Sequence, residues 1–188
     1  MARPRKRKPL TSKPRSRAPR ADRKIEWIET NCPVPEGKHV GQKLKLPKFM
    51  RDDLRAIYRE PGDKRGLVRR AIISRGRKNA KTTECILLLH LCGYEAEDRP
   101  NSQLYSTAQS RDQAAIVFSL AAKMVRMSPD LRSVVTVRET TKELVCAELG
   151  TKYRALSAEA TTAFGLSPVL TLHDELGQVY GREQPRPL

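Results

Sequence analysis

Two short segments carry the side chains best suited to chemistry on a nucleotide. The first is Arg75-Gly-Arg-Lys-Asn-Ala-Lys-Thr-Thr83. A phosphate-binding loop works by aiming backbone N–H groups at the phosphates from a helix N-terminus, while a lysine reaches the β and γ oxygens and the next hydroxyl ligates Mg²⁺. Lys81 and Thr82 have the types and adjacency for those last two roles. Against the usual GxxxxGK[ST] pattern both glycines are displaced: Ala80 stands at the second, Arg75 at the first, and Gly76 comes one place late. Taken alone, the segment also reads as a basic surface loop. The second segment, Val169-Leu-Thr-Leu-His-Asp-Glu175, is an apolar run ending in two carboxylates. There Asp174 can hold Mg²⁺ and Glu175 can orient and activate the attacking water. Alone it is also a strand that ends in solvated acids. The two segments together, with strand and helix patterns between them, point to a nucleotide site.

Positioning such groups requires a sheet whose strands end beside helix N-termini. Leu67-Val-Arg-Arg-Ala-Ile-Ile73 has the length and β-branched end of a strand, and Lys81 to Cys92 reads as a buried helix closed by Gly93. Gln103–Ala108 predicts a second strand, and Arg111 to Met127 a helix stopped by Ser128-Pro129. Val134–Val137, Leu144–Ala147 and Tyr153–Leu156 are short strand-like runs. Pro168 leads into a buried strand over 169–175. Upstream, Ile25 to Tyr58 reads as an approach segment, with Phe49, Leu54, Ile57 and Tyr58 at near-helical spacing. Helices alternating with hydrophobic strands predict a mostly parallel α/β sheet.

The chain has 188 residues, enough for one domain, and its formal net charge of +16 favours a polyanionic partner such as nucleic acid, or an anionic membrane surface, without choosing between them. Its longest apolar stretch, around Cys85–Leu89, is too short to span a membrane, and the N-terminus lacks the apolar core of a secretory signal, so a cytosolic protein is expected. Four scattered cysteines, Cys32, Cys85, Cys92 and Cys146, form no metal-binding spacing and read as reduced, buried thiols. Residues 1–24 hold eleven Lys/Arg and one acid, with Pro4, Pro9, Pro14 and Pro19 spaced among them. That composition predicts a disordered basic tail, readable as a DNA-contacting arm or as a solubilising one.

In this order, the segments resemble the large subunit of tailed-bacteriophage terminases. Ser74–Thr83 is similar to that family's deviant Walker A, which commonly reads arginine-lysine-asparagine-glycine-lysine followed by a hydroxyl residue. Tyr105–Phe118 resembles the strand and helix that follow it. Gly150–Ala160, Gly165-Leu-Ser-Pro168 and the Asp174-Glu175 Walker B pair complete the likeness over about residues 40–180. Near Leu44–Met50 the family often places a tryptophan–glutamine pair that helps hold adenine. Here Phe49 is the aromatic and no glutamine follows.

The resemblance implies a three-layer P-loop NTPase of the catalytic-glutamate class that binds ATP and Mg²⁺. Arg75, Arg77, Lys78, Asn79, Ala80, Lys81, Thr82 and Thr83 would form the phosphate loop, with Arg75 or Arg77 sensing nucleotide. Thr82 and Asp174 would serve the metal, and Glu175 would be the catalytic carboxylate. Arg138 or Arg154 could act as a finger toward a neighbouring subunit, or simply be a solvated strand-edge charge. His173 reads as a partly buried, hydrogen-bonded histidine. The implied partners are double-stranded DNA, a portal protein, a terminase small subunit and other copies in a ring, in the host cytoplasm and transiently at the procapsid portal. The family continues past its acid pair to a coupling motif and a nuclease domain, which residues 176–188 cannot contain. Residues 25–188 are therefore expected to be a truncated ATPase domain without nuclease activity. A helicase-like translocase and an inactive DNA-binding remnant are the alternatives.

Overall fold

The structure is a computed structural model and describes residues 18–74, 83–93, 99–108, 111–157 and 168–173. Its elements in chain order are α1 (Arg20–Asn31), α2 (Lys48–Ile57), α3 (Thr83–Cys92), β1 (Gln103–Ala108), α4 (Arg111–Met127), α5 (Pro129–Val134), β2 (Val135–Arg138), β3 (Glu143–Cys146), β4 (Thr151–Ser157) and β5 (Pro168–His173). The strands form one sheet in the order β2-β3-β4-β1-β5. β1 pairs in parallel with β4 and β5, whereas β2, β3 and β4 form an antiparallel meander. The sheet is therefore mixed rather than mostly parallel. The reason is the short polar turns around Glu139–Lys142 and Ala147–Gly150, which leave too few residues for a crossover and force each strand back beside the last.

α3 explains how the core is organised. Its sequence Thr-Glu-Cys-Ile-Leu-Leu-Leu-His-Leu-Cys is apolar all round, which suits a helix covered on every side. Cys85, Leu87, Leu88, Leu89, Leu91 and Cys92 are all fully buried. α3 packs on the sheet and on α4 from one direction and on α1 from the other. Gly93 ends it as expected: its N–H bonds Leu89 O at 3.0 Å. A Cβ there would lie 2.6 Å from that same oxygen and 3.1 Å from Trp27.

The sheet faces are unlike. Leu104, Ser106, Leu144, Cys146, Thr151 and Tyr153 are buried on the face that carries α3 and α4. Their alternating neighbours Gln103, Thr136, Arg138, Lys152 and Arg154 are exposed. Among the described residues the helices stand on one face, in contrast to the expected three-layer arrangement with helices on both. On the opposite face the exposed polar residues alternate in space with buried Thr107, Glu143 and Leu156 and half-buried Tyr105 and Val145.

Three further expectations are corrected. α1 begins at Arg20, inside the segment assigned to the basic tail, and Ala21, Lys24, Ile25 and Ile28 are buried on it. Their i, i+3, i+4, i+7 spacing outweighs the local charge; residues 1–17 lie outside the described residues. Leu67–Ile73 is not a strand: no described strand pairs with it, and Leu67, Ile72 and Ile73 are exposed. β5, expected to be buried, is at the sheet edge and half-exposed, with Leu170 and Leu172 only partly covered. All four cysteines are buried and free, as their scatter suggested.

Candidate functional site

The parallel strands β1, β4 and β5 end together at Ala108, Ser157 and His173. α3 runs antiparallel to them. Near its C-terminus the Leu91 carbonyl accepts a hydrogen bond from Thr151 Oγ1, at the first residue of β4. The helix must therefore present its N-terminus, Thr83, toward the end of the sheet where the strands finish. That end combines a helix dipole's positive pole with the carboxyl edge of a parallel sheet, where anionic ligands bind in α/β folds.

Thr83 is partly buried in the first turn of α3 and is the one predicted site residue among those described. Arg75, Arg77, Lys78, Asn79, Ala80, Lys81 and Thr82 precede it and lie outside the described residues, as do Asp174 and Glu175, which follow β5 directly. Among the described residues, Thr83 at the start of α3 and His173 at the end of β5 stand at the same end of the sheet.

The residues around this end were not all legible beforehand. Thr107 Oγ1 and His173 Nδ1 share a hydrogen bond of 2.5 Å across the β1–β5 pair. The histidine is thus hydrogen-bonded as expected but exposed rather than partly buried. Beneath Thr83 is a buried polar group: Glu84 in the first turn of α3, and Tyr153, whose hydroxyl is 2.6 Å from Ser106 Oγ. An acid is favoured there by the helix dipole. Burial, with the Glu84 charge added and the Ser106 hydrogen bond opposing, pushes the Tyr153 phenol well above its ordinary range, so it stays neutral. The Tyr153–Ser106 hydrogen bond ties β4 to β1 within reach of the Glu84 charge. Period-2 alternation in Gln103–Ala108 indicated that Ser106 and Thr107 face opposite ways, but the partner strands were needed to say what they meet.

Other predicted residues have structural partners. Arg138 and Arg154 both reach the buried Glu143. Phe49 is exposed on α2, and Trp27 and Tyr58 are buried packing residues. His90, for which sequence offered no partner, meets Tyr58: the hydroxyl is 3.0 Å from Nε2. Between α1 and α2 is an open hollow of about 280 Å³, lined by Asp22, Glu26, Glu29, Lys43, Arg51 and Arg55. Ion pairs Arg51–Glu29 and Arg55–Asp22 already occupy its charges. No cluster of metal-ligating side chains and no helix long and apolar enough to cross a membrane occurs among the described residues.

Comparison with known proteins agrees with this geometry. The family described as "Terminase large subunit, ATPase domain" matches residues 54–186. The chain is 46% identical over 164 residues to the terminase large subunit of Enterobacteria phage HK97, covering 86% of this chain and 31% of that protein. The crystal structure of the HK97 bacteriophage large terminase superposes with a TM-score of 0.74 at 43% identity, over 86% of this chain and 32% of the other. The chain spans about a third of the length of the relatives it matches.

Proposed function

Because the chain belongs to the family of terminase large-subunit ATPase domains, we propose that it is the ATP-hydrolysing part of a motor that packages viral DNA into procapsids. The observation that carries the reading is the placement of the α3 N-terminus beside the carboxyl ends of three parallel strands. In sequence, one chemical segment runs into Thr83 and the other follows His173.

In this reading the backbone N–H groups of 78–83 cradle the phosphates at the start of α3, and Lys81 neutralises charge on the β and γ oxygens. Thr82 and Asp174 hold Mg²⁺, which when bound spreads the negative charge that develops on the transferred phosphoryl group. Glu175 orients the attacking water and accepts its proton. Arg75 or Arg77 responds to the nucleotide from within the loop. The residue types fit a nucleotide with its metal: in sequence, two carboxylates follow β5, the strand that ends beside the α3 N-terminus. The fold class is then the catalytic-glutamate P-loop class, and the phosphate loop is a Walker A variant with Ala80 in a glycine position.

The same reading assigns double-stranded DNA, a portal protein, a small subunit and other copies in a ring as partners. Its setting is the host cytoplasm, with a transient station at the procapsid. The assignment is tested by Mg²⁺-dependent phosphate release with and without DNA. Lys81→Ala should abolish turnover, and Glu175→Gln should abolish turnover while retaining nucleotide binding. Turnover at the wild-type rate in either variant would remove that residue from the site.

A further inference from the structure

Glu143 lies on the sheet face away from α3 and α4, at the first position of β3. Register sets Arg138 of β2 opposite it on one side and Arg154 of β4 opposite it on the other. Lys152 is two residues from Arg154 on β4 and so shares their face. All three cations converge on the one carboxylate. Lys152 Nζ is 2.8 Å and Arg154 Nε 3.9 Å from Oε1, and Arg138 Nη1 is 3.5 Å from Oε2. The Glu143 side chain is 5% exposed, whereas those of Arg138, Lys152 and Arg154 are 56%, 45% and 54% exposed. Burial alone would raise the carboxyl's pKa. Hydrogen bonds from Lys152 and Thr141, with the charges of Lys152 and Arg154, outweigh it and hold the group below the ordinary glutamate value.

One carboxylate cannot neutralise three cations, so two positive charges remain. The buried anion gathers the charged ends of the three side chains, which stay about half exposed to water. That is a preorganised cationic surface, in which much of the ordering cost of long side chains is met before any ligand arrives. Along β4, Lys152 and Arg154 are spaced by roughly 6.6 Å, and β2 is two strand spacings from β4, roughly 9.6 Å. From these separate backbone positions the charged ends meet at Glu143, so the patch concentrates positive charge at one place on the face. Around the cluster the same face carries exposed Thr136 and Gln103 and half-buried Val145 and Tyr105. A solvent-exposed cationic surface complements a polyanion's backbone.

We infer that the helix-free face of β2–β4 is a docking surface for the phosphate backbone of duplex DNA, contacted by Arg138, Lys152 and Arg154 and positioned by Glu143. The identity of the polyanion rests on the proposed function. The location of the surface rests on the cluster itself. Contact to phosphates makes the surface indifferent to base sequence and sensitive to salt.

The test is the salt dependence of binding to a labelled duplex of arbitrary sequence, followed by fluorescence anisotropy. Each lost phosphate contact lowers the slope of log K against log salt by about 0.9. Arg138→Gln with Arg154→Gln should therefore reduce it by about 2, and Lys152→Gln alone by about 1. The basic N-terminal segment is the same in every variant and adds a constant slope. Arg138→Lys with Arg154→Lys, which keeps both charges, should retain the wild-type slope. Glu143→Gln, which removes no cation, should not lower it. Thermal unfolding verifies that each variant is folded, and the Lys152 variant serves if the double one is not. Unchanged slopes in folded glutamine variants of a DNA-binding wild type would overturn the surface and leave the proposed function standing. A wild type that binds no duplex at all would overturn both.

Discussion

Lowering the pH from 7.5 to 5 should destabilise the fold by about 2 kcal/mol through His90 alone. The imidazole sits on α3 against Tyr58, its Nε2 3.0 Å from the phenol hydroxyl. Burial first, and then the charges of Lys24, Arg20 and Arg99, lower its pKa from 6.5 to about 3. A base whose folded pKa is depressed leaves stability intact above its unfolded value. Stability then falls as the pH drops, because only the unfolded chain takes up the proton. The window opens near pH 6.5 and closes near 3. At pH 5 the unfolded chain is 1.5 units below its pKa, and at about 1.36 kcal/mol per unit the loss is about 2 kcal/mol. His90→Phe keeps a ring of similar size and removes the titration. It also removes the hydrogen bond to Tyr58, so the variant should begin about 1 kcal/mol less stable at pH 7.5. The order should reverse by pH 5. Urea unfolding can be followed by the fluorescence of Trp27, the single tryptophan, which is buried against the same helix layer. If wild type and His90→Phe lost the same free energy between pH 7.5 and 5, the neutral, partly buried histidine would be refuted.

Two predictions concern the scaffold. Gly150, in the turn between β3 and β4, has φ +65°, and a Cβ there would fall 2.1 Å from Asn101 Oδ1. Gly150→Ala should therefore cost about 1–3 kcal/mol in chemical denaturation. Gly37→Ala, at φ +88° but in open space, should cost only the backbone strain of about 1 kcal/mol. Leu88→Ala, in the middle of α3 with no exposed surface, should lower unfolding free energy by about 2–5 kcal/mol, with a reduced urea midpoint as the readout.

Much of the order of elements could be read from the chain, and the reasons are local. β1 and α4 fall where period and stop signals put them, because Ser128 caps the next helix through Leu131 N and Pro129 follows it. α3 was legible as buried because its residues leave no polar face. What local pattern does not contain is neighbourhood. The run 169–173 has the apolar content of an interior strand, yet β5 has a single described neighbour and a half-exposed pattern. Leu67–Ile73 has β-branched character, but a strand exists only when another pairs with it. Glu143 reads in sequence as a turn charge between Lys142 and Leu144. Only the β2–β3–β4 register reveals that it underlies three cations from neighbouring strands. The candidate site follows the same division: Lys81, Asp174 and Glu175 are proposed from type and order alone and lie outside the described residues, whereas the Thr107–His173 pair and the Tyr153–Ser106 pair required the sheet.

The central claim is that the end of the sheet faced by Thr83 receives Mg²⁺-ATP through the segments of Lys81 and Asp174. Its most direct test is the unfolding free energy of the purified chain with and without Mg²⁺-ATP, beside Lys81→Ala. At a nucleotide concentration 100 times the dissociation constant, wild type should gain about 2.7 kcal/mol and the variant, measured at the same concentration, far less. A cooperatively folded wild type with no gain, or a Lys81→Ala chain with the full gain, would contradict the account.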